Sequence, residues 1–438
     1  MLGSVIRTLT VVALGLGARV AAAGGPLLPV QGVRSLERAG ALVAGAEDAD
    51  SLWTNPAGLA RLTGAGKRAL LFDAAYVYQT VDSVALDGTA SSNLQPGHGI
   101  PTVAGALGIG EKLVIAGGLT APYDAVHRYA TDDSTGSYTF VITAGIGYAV
   151  SERIRVGATL QDHVTRTKRT LATVACTADP CDPADASLAM PLDITQTDYV
   201  APAGSAGVQL DLSSKVTFGA MLQSPVRVAG KGTLTVHVPT AMQFASARVT
   251  GDGVAYSYAR PPIVRLGVEA RPRRDLRIEA ALSAELWSTV GAVTIAPDGV
   301  SLEDVAGGPY PLHEVTIPRS YDTSFAPSLA VEWHGEGVML GAGYAYETAA
   351  VPSGQVAIST AIDAGKHVLG AGGGYEAYGW QIGGAVGVAL LADVDVTASD
   401  AAILPLAPLR APTTAVPISA GRYQSRYVVG GLRFARRF

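Results

Sequence analysis

The chain has 438 residues, of which 48% are hydrophobic and only 16% charged; its formal charge is -5 and its mean hydropathy +0.27. That acidic balance gives no electrostatic basis for a nucleic-acid partner. The apolarity is high for a water-soluble protein, yet beyond the first residues no run approaches the ~20 apolar residues of a membrane helix.

The first 23 residues read as an export signal. Arg7 supplies the positive end, Thr8 to Ala18 an apolar stretch too short to cross a bilayer as a helix, and Ala21-Ala22-Ala23 a small-residue cleavage site. Cutting after Ala23 removes Arg7 and Arg19 and takes the formal charge from -5 to -7. Residues 24–66 lack strand alternation and are rich in Ala and Gly, with Ser35 to Gly45 predicted as one short helix. Asn55 before Pro56 predicts an extended residue that caps a second helix, with proline in its first turn. A segment of this length is too long for a simple tail and too apolar to stay unpacked, so it is expected to sit as a plug inside the domain formed by the rest of the chain.

From about Arg68 onward the signal is period-two alternation. In the clearest case Tyr138, Phe140, Ile142, Ala144, Ile146 and Tyr148 occupy one parity, with Thr139, Val141, Thr143, Gly145 and Gly147 on the other. Ten steps of ~3.3 Å at a ~40° tilt cover roughly 25 Å, the height of an outer-membrane apolar band, with rings at both edges. The pattern recurs in 153–161, in 277–286, and in 321–334, where Tyr321, Phe325, Leu329, Val331 and Trp333 are assigned to the lipid side. The opposite parity, including Glu279, Glu285, Glu332 and Asp322, is expected to line a wet or plug-filled interior. Short turns at 110–111, 151–152, 213–214, 273–274, 335–336 and 378–379 alternate with long loops near 84–100, 123–134, 170–194, 231–257, 291–319, 350–364 and 397–420. Six short turns and seven long loops join about fourteen strands, an even number that closes an antiparallel sheet without an edge. The predicted fold class is thus an all-β membrane protein: a transmembrane β-barrel over 67–438 with a small, partly helical plug over 24–66. Cys176 and Cys181, in a loop-like stretch of an exported chain, predict a small disulfide-closed loop, two free thiols being the alternative. Phe438 ends an amphipathic strand with Leu432 and Phe434 on its parity, the form of an outer-membrane assembly signal; Arg436 departs from it.

These features resemble the long-chain fatty-acid transporters of the outer membrane and their aromatic-hydrocarbon relatives. The matching residues are Ala39-Gly40-Ala41, Ala44-Gly45-Ala46, Asp48 and, above all, Asn55-Pro56-Ala57-Gly58-Leu59, with Ile100-Pro101, Ala121-Pro122-Tyr123, Pro261-Pro262 and Tyr321-Asp322-Thr323 adding weaker matches over the rest of the chain. The resemblance implies a fourteen-stranded barrel with an N-terminal hatch whose first residues touch a bound apolar ligand. Here those residues are Gly24, Leu27, Leu28 and Val30, without the aromatic residue that relatives commonly carry after the first glycine. It also implies a kinked third strand, here Gly117-Gly118 followed by Pro122, as a bulge or gap in the wall; strand curvature is the alternative account of the glycines. The expected function is uptake of hydrophobic compounds, foremost long-chain fatty acids, by a Gram-negative outer-membrane monomer inserted by the barrel assembly machinery among lipid and lipopolysaccharide. A porin for polar solutes and a structural or adhesive surface barrel are the alternatives.

Catalytic readings find little. The histidines are scattered, Ala203-Gly204-Ser205-Ala206-Gly207 only looks like a nucleophile elbow, and Gly370, Gly372, Gly373 and Gly374 lie on a strand with no helix after them. Those glycines are expected to relieve crowding against the plug. No enzyme activity, metal or cofactor is predicted.

Overall fold

The computed structural model describes residues 32–438 except 123–124, 131–133, 179 and 413–415, together with the backbone of Ala23–Gly24. The expected signal peptide and Leu27, Leu28 and Val30 lie outside the described residues.

Fourteen strands form one closed antiparallel barrel. They are β1 (Arg68–Ala85), β2 (Gly97–Ile109), β3 (Leu113–Thr120, resuming at Ala125–Arg128), β4 (Ser134–Ala149), β5 (Ile154–Leu171), β6 (Leu192–Asp198 and Pro202–Ser213) and β7 (Val216–Gln223 and Val226–Val236). The circuit continues with β8 (Gly253–Arg260 and Ile263–Arg273), β9 (Leu276–Glu285 and Val293–Asp298), β10 (Val315–Ile317 and Ser324–Gly335), β11 (Val338–Ala349), β12 (Lys366–Ala377), β13 (Trp380–Leu391 and Val394–Val396) and β14 (Gly421–Arg437). The first strand pairs with the last without interruption, from Ala69↔Arg437 to Ala85↔Gly421, so the ladder closes on itself. Among the described residues no helix is long and apolar enough to cross a membrane.

Burial follows the alternation. Along β4, Ile142 is 50% exposed while Thr139 is wholly buried, and in β5 Ile154, Val156 and Leu160 face outward while Gln161, His163 and Thr165 face inward. Exposed leucines and isoleucines in such numbers make sense only against lipid, which solvates what a water-soluble surface would have to hide. In β10 the outward parity holds Phe325, Leu329, Val331 and Trp333, but Tyr321 is buried, against the lipid-side assignment. Its residue precedes the spanning segment, which begins at Ser324, and its ring packs edge-on to Trp287 at 5.8 Å. Asp322 is exposed at the same break, not in the lumen; its backbone N–H donates to Ala350 O.

Several strands pause at one level, at 199–201 in β6, Ser224-Pro225 in β7, Pro261-Pro262 in β8, and 286–292 in β9, and resume beyond. The stretches expected to be loops at 231–257 and 291–319 thus carry strand as well, including a small sheet of Arg248–Thr250, Ser301–Val305 and Gly308–Pro311. At the long-loop end Leu192, Leu234, Phe244, Ile295 and Leu302 join Leu409 in one apolar cluster, so the loops pack as a dome over the mouth. Cys176 and Cys181 are disulfide-bonded there.

Residues 33–62 lie inside the barrel. They form α1 (Val33–Glu37), α2 (Ser51–Thr54) and a 3-10 helix (Pro56–Leu62). The single helix expected over Ser35 to Gly45 stops at Glu37: Ala39 and Gly40 turn to positive φ, and the backbone beyond is bonded by the wall instead of by itself.

Candidate functional site

The inner segment is held by charges that point inward from strands all around the barrel. Glu279 of β9 accepts from the backbone N–H groups of Val43, Ala44 and Gly45 at 2.7, 2.8 and 3.0 Å, and from Arg38 Nη2 at 2.7 Å. Gln209 of β6 donates to the carbonyls of Ala44 and Ala46 at 3.0 and 2.7 Å. A wall that supplies both donors and acceptors removes the need for helix, since buried backbone groups must be paired by something. Arg38 also meets Glu269 and Glu332, at 3.3 and 2.8 Å, and Arg34 reaches Glu332 and Glu47. Glu47 is in turn 2.6 Å from Arg277, and these cations hold its carboxyl far below the usual range against the opposing effect of burial.

A second knot forms where the barrel closes. Arg433 of β14 lies 3.0, 3.1 and 3.3 Å from Asp48, Asp50 and Asp73, and Asp73 of β1 also caps α1 by accepting from Val33 N at 2.9 Å. Asn55 is extended and its side chain accepts from Ala57 N, opening the 3-10 helix at Pro56; its amide nitrogen donates to Val43 O and Val208 O. Trp53 donates to Thr143 Oγ1 at 2.9 Å and its carbonyl accepts from Arg265.

Close approach explains much of the glycine. A Cβ at Gly157 would sit 2.2 Å from Pro56 O, one at Gly207 2.0 Å from Asn55 Oδ1, and one at Gly343 2.3 Å from Arg38 C. In the 370–374 run only Gly370 faces the inner segment, 2.0 Å from Leu36 O; Gly372, Gly373 and Gly374 are crowded by neighbouring strands instead. Within the segment Gly58 fits because a side chain there would strike Ala46 O.

Beside α1 a crevice of about 10 Å³, room for no more than a single water, is lined by Leu36, Val77, Ile100 and Val429, with Gly32 and Asp73 at its edge. Its Ile100 wall borders the place where, among the described residues, the β2–β3 ladder stops. The β2–β3 ladder ends at Thr102↔Thr120, whose hydroxyls are 2.8 Å apart. Beyond it, among the described residues, Gly97–Pro101 pairs with β1 alone, and Pro101 and Pro122 contribute no N–H. Contact resumes where Leu94 N donates to Arg128 O at 2.7 Å and His127 bonds Gln79 at 2.7 Å. The ladder runs unbroken through Gly117 and Gly118, so the interruption begins at Ala121-Pro122 and not at the glycine pair. Gly118 instead gives room to Trp53, whose ring lies 2.8 Å from the place of a Cβ.

Farther toward the dome, Arg169 bonds Tyr256 OH, the Tyr256 and Tyr258 rings are 5.7 Å apart, and the Arg260 and Arg319 guanidiniums lie over Tyr258 at 5.7 and 5.5 Å. The loop at 350–364 reaches this cluster through Ser359 O, which accepts from Arg169. An outer cleft of about 430 Å³ is lined by Leu94, Arg128, Tyr129, Pro191, Asp193 and His237.

Of the residues singled out from sequence, Asp48, Asn55, Pro56, Ala57 and Gly58 are brought together within the inner segment. The backbone at Ala23–Gly24 runs parallel to Thr348–Ala349 of β11. Phe438 continues β14 outward, its N–H donating to Arg68 O, with Arg436 stacked over its ring at 4.2 Å. Glu279 and Glu332 pair with the inner segment, whereas Glu285 bonds Trp287 Nε1. Sequence reasoning missed Asp73, Gln209, Glu269 and Arg433. Their signal is a charged or amide side chain on the inward parity of an otherwise apolar strand.

Residues 14–426 match the family model of the outer membrane protein transport protein (OMPP1/FadL/TodX). No curated protein sequence matches the chain. Among solved structures, a Pseudomonas aeruginosa FadL homologue superposes with a TM-score of 0.74 at 14% identity, covering 94% of this chain and 99% of that one. The P. putida toluene transporter TodX gives 0.65 at 15% identity, with 94% and 99% covered. The Ralstonia pickettii toluene transporter TbuX gives 0.62 at 15% identity over the same shares.

Proposed function

This chain belongs to the outer-membrane protein transport family of FadL and TodX, Gram-negative outer-membrane channels for hydrophobic compounds, and from that premise we propose that its cargo is a long-chain fatty acid taken through the lumen and gated by the inner segment. The observation that supports the proposal is the apolar cluster in which Val33 and Leu36 of α1 cover Val77, Ile100 and Val429 of the wall, beside the end of the β2–β3 ladder. An acyl chain that took the place of α1 against this apolar wall would gain ~0.8 kcal/mol per buried CH₂, so capture needs few polar contacts. The same gain opposes release. Movement of the segment 24–66, whose α1 covers that apolar wall, or widening at Ala121-Pro122, lets the cargo go.

The positive charge of the Arg169, Arg260 and Arg319 guanidiniums, whose N–H groups also bond Tyr256, Ser359, Thr139 and Ala259, favours a carboxylate-bearing cargo over a neutral hydrocarbon. Uptake of radiolabelled oleate and toluene by cells with and without the gene tests this. Gene-dependent oleate uptake that Arg169→Gln and Arg319→Gln weaken is expected. Gene-dependent uptake of toluene alone would replace fatty acid by hydrocarbon, and large steady currents from the intact protein in a planar bilayer would make it a porin.

A further inference from the structure

On the outer surface of the barrel, some charged side chains are neutralised by neighbours. Arg422 meets Asp393 at 2.8 Å, Arg273 meets Asp275 at 3.2 Å, and Arg248 meets Asp304. Strands β5 to β7 bring three unpaired cations together. Arg166, Lys168 and Lys231 are exposed and face outward, and none has a carboxylate within ion-pair distance among the described residues.

Their placement is set by register. Arg166 pairs with Tyr138 on one side and Thr197 on the other; Lys168 pairs with Gly136 and with Thr195. Thr195 pairs in turn with Thr233 of β7, and Gly232, next to Lys231, pairs with Gln196. The cations therefore flank the outward hydroxyls of Thr195 and Thr197, with β5 and β7 about 10 Å apart across β6. Of the acidic side chains described on this face, Asp193 is occupied by His237 at 2.7 Å and Thr170 at 2.6 Å, and Asp162 accepts from Ala201 N at 2.9 Å.

The height is equally defined. The outward run of β5 from Ile154 to Val164, apolar but for Asp162, spans roughly 25 Å, the height of the apolar band. Arg166 is the next outward residue, level with Tyr138 at the aromatic edge, and Lys168 stands one pleat farther out, toward the long-loop end. That is the depth of lipid phosphates in the outer leaflet, and a cationic cluster lying there is matched by anionic headgroups. We propose that Arg166, Lys168 and Lys231, with Thr195 and Thr197 between them, form a binding surface for the phosphate groups of the phosphorylated glycolipid of the outer leaflet.

Native mass spectrometry of the full chain in detergent, with bisphosphorylated lipid A added, tests the proposal; heat-modifiable migration on gels reports that each variant is a folded barrel. The combined R166A, K168A and K231A variant is expected to retain lipid A roughly 100-fold more weakly, each cation contributing about five-fold. Neutralising Lys112, Lys215 and Arg274 at the opposite rim is expected to change nothing, as is competition by inorganic phosphate. Lipid A stripped of both phosphates is expected to bind wild type as weakly as the triple variant. Equal retention by the triple variant, or of the stripped lipid, would overturn the proposal, and displacement by inorganic phosphate would assign the surface to the free ion instead.

Discussion

Replacing Glu279 by glutamine separates the wall's grip on the inner segment from its role in the barrel. Volume is kept, and the new carbonyl still accepts from Val43 N and Ala44 N. The amide nitrogen, however, takes the place of the oxygen that accepts from Gly45 N and Arg38 Nη2, at 3.0 and 2.7 Å, so donors face a donor. Losing one partner of a buried ion pair costs ~3–5 kcal/mol. Arg38 keeps Glu269 and Glu332, which places the loss near the lower figure, about 3 kcal/mol. At ~1.4 kcal/mol per factor of ten, the backbone of 43–45 opens roughly 100-fold more often. Amide hydrogen exchange of the purified protein in detergent measures this directly. Exchange across 33–45 should accelerate by that factor while β1–β14 keep their protection. Unchanged exchange in 33–45 refutes the reasoning, as does equal acceleration of the strands.

Gly157→Ala and Gly343→Ala each drive a methyl into the inner segment and should destabilise it by ~1–3 kcal/mol, against no effect for Gly430→Ala, where nothing lies within 4 Å; the same exchange measurement discriminates them. Burial, with Glu332 adding to it, pushes the Glu37 carboxyl from 4.5 up to about 7. A carboxyl raised on folding favours the seated segment when protonated, so its contribution is complete below pH 4.5 and is lost as pH climbs through about 7, by at most ~3 kcal/mol. Exchange of 33–41, corrected for its intrinsic pH dependence, should show that loss in wild type and lack it in Glu37→Gln. Reducing Cys176–Cys181, which closes a loop of sequence separation 5, should cost about 2 kcal/mol locally, seen as faster proteolysis of 172–190 with the barrel intact.

The strands and their short turns were legible because alternation in a barrel is enforced by two immiscible surroundings, lipid on one side and polar contacts on the other. Tyr321 shows the limit: parity continues only while the strand does, and the break at 318–323 resets it. The inner segment was legible as a non-strand but not in its conformation. Local composition gives Ser35 to Gly45 a helix, whereas Glu279 and Gln209, more than 160 positions away, bond the backbone of 43–46 and make a helix unnecessary. Arg34, Arg38 and Asp48 could be seen as charges. Their partners, between 13 and 385 positions distant, emerge only from the closed ladder.

Arg433 and Asp73 belong to the two strands whose union completes the cylinder, and both also hold the segment within. Before that union Arg433 stands apart from Asp73, and the site that receives Asp48 and Asp50 is only half built. Pairing of the inner carboxylates and joining of the final seam thus draw on the same arginine. A half-open intermediate gains little by being filled, and moving the seam elsewhere by circular permutation would uncouple filling from closure.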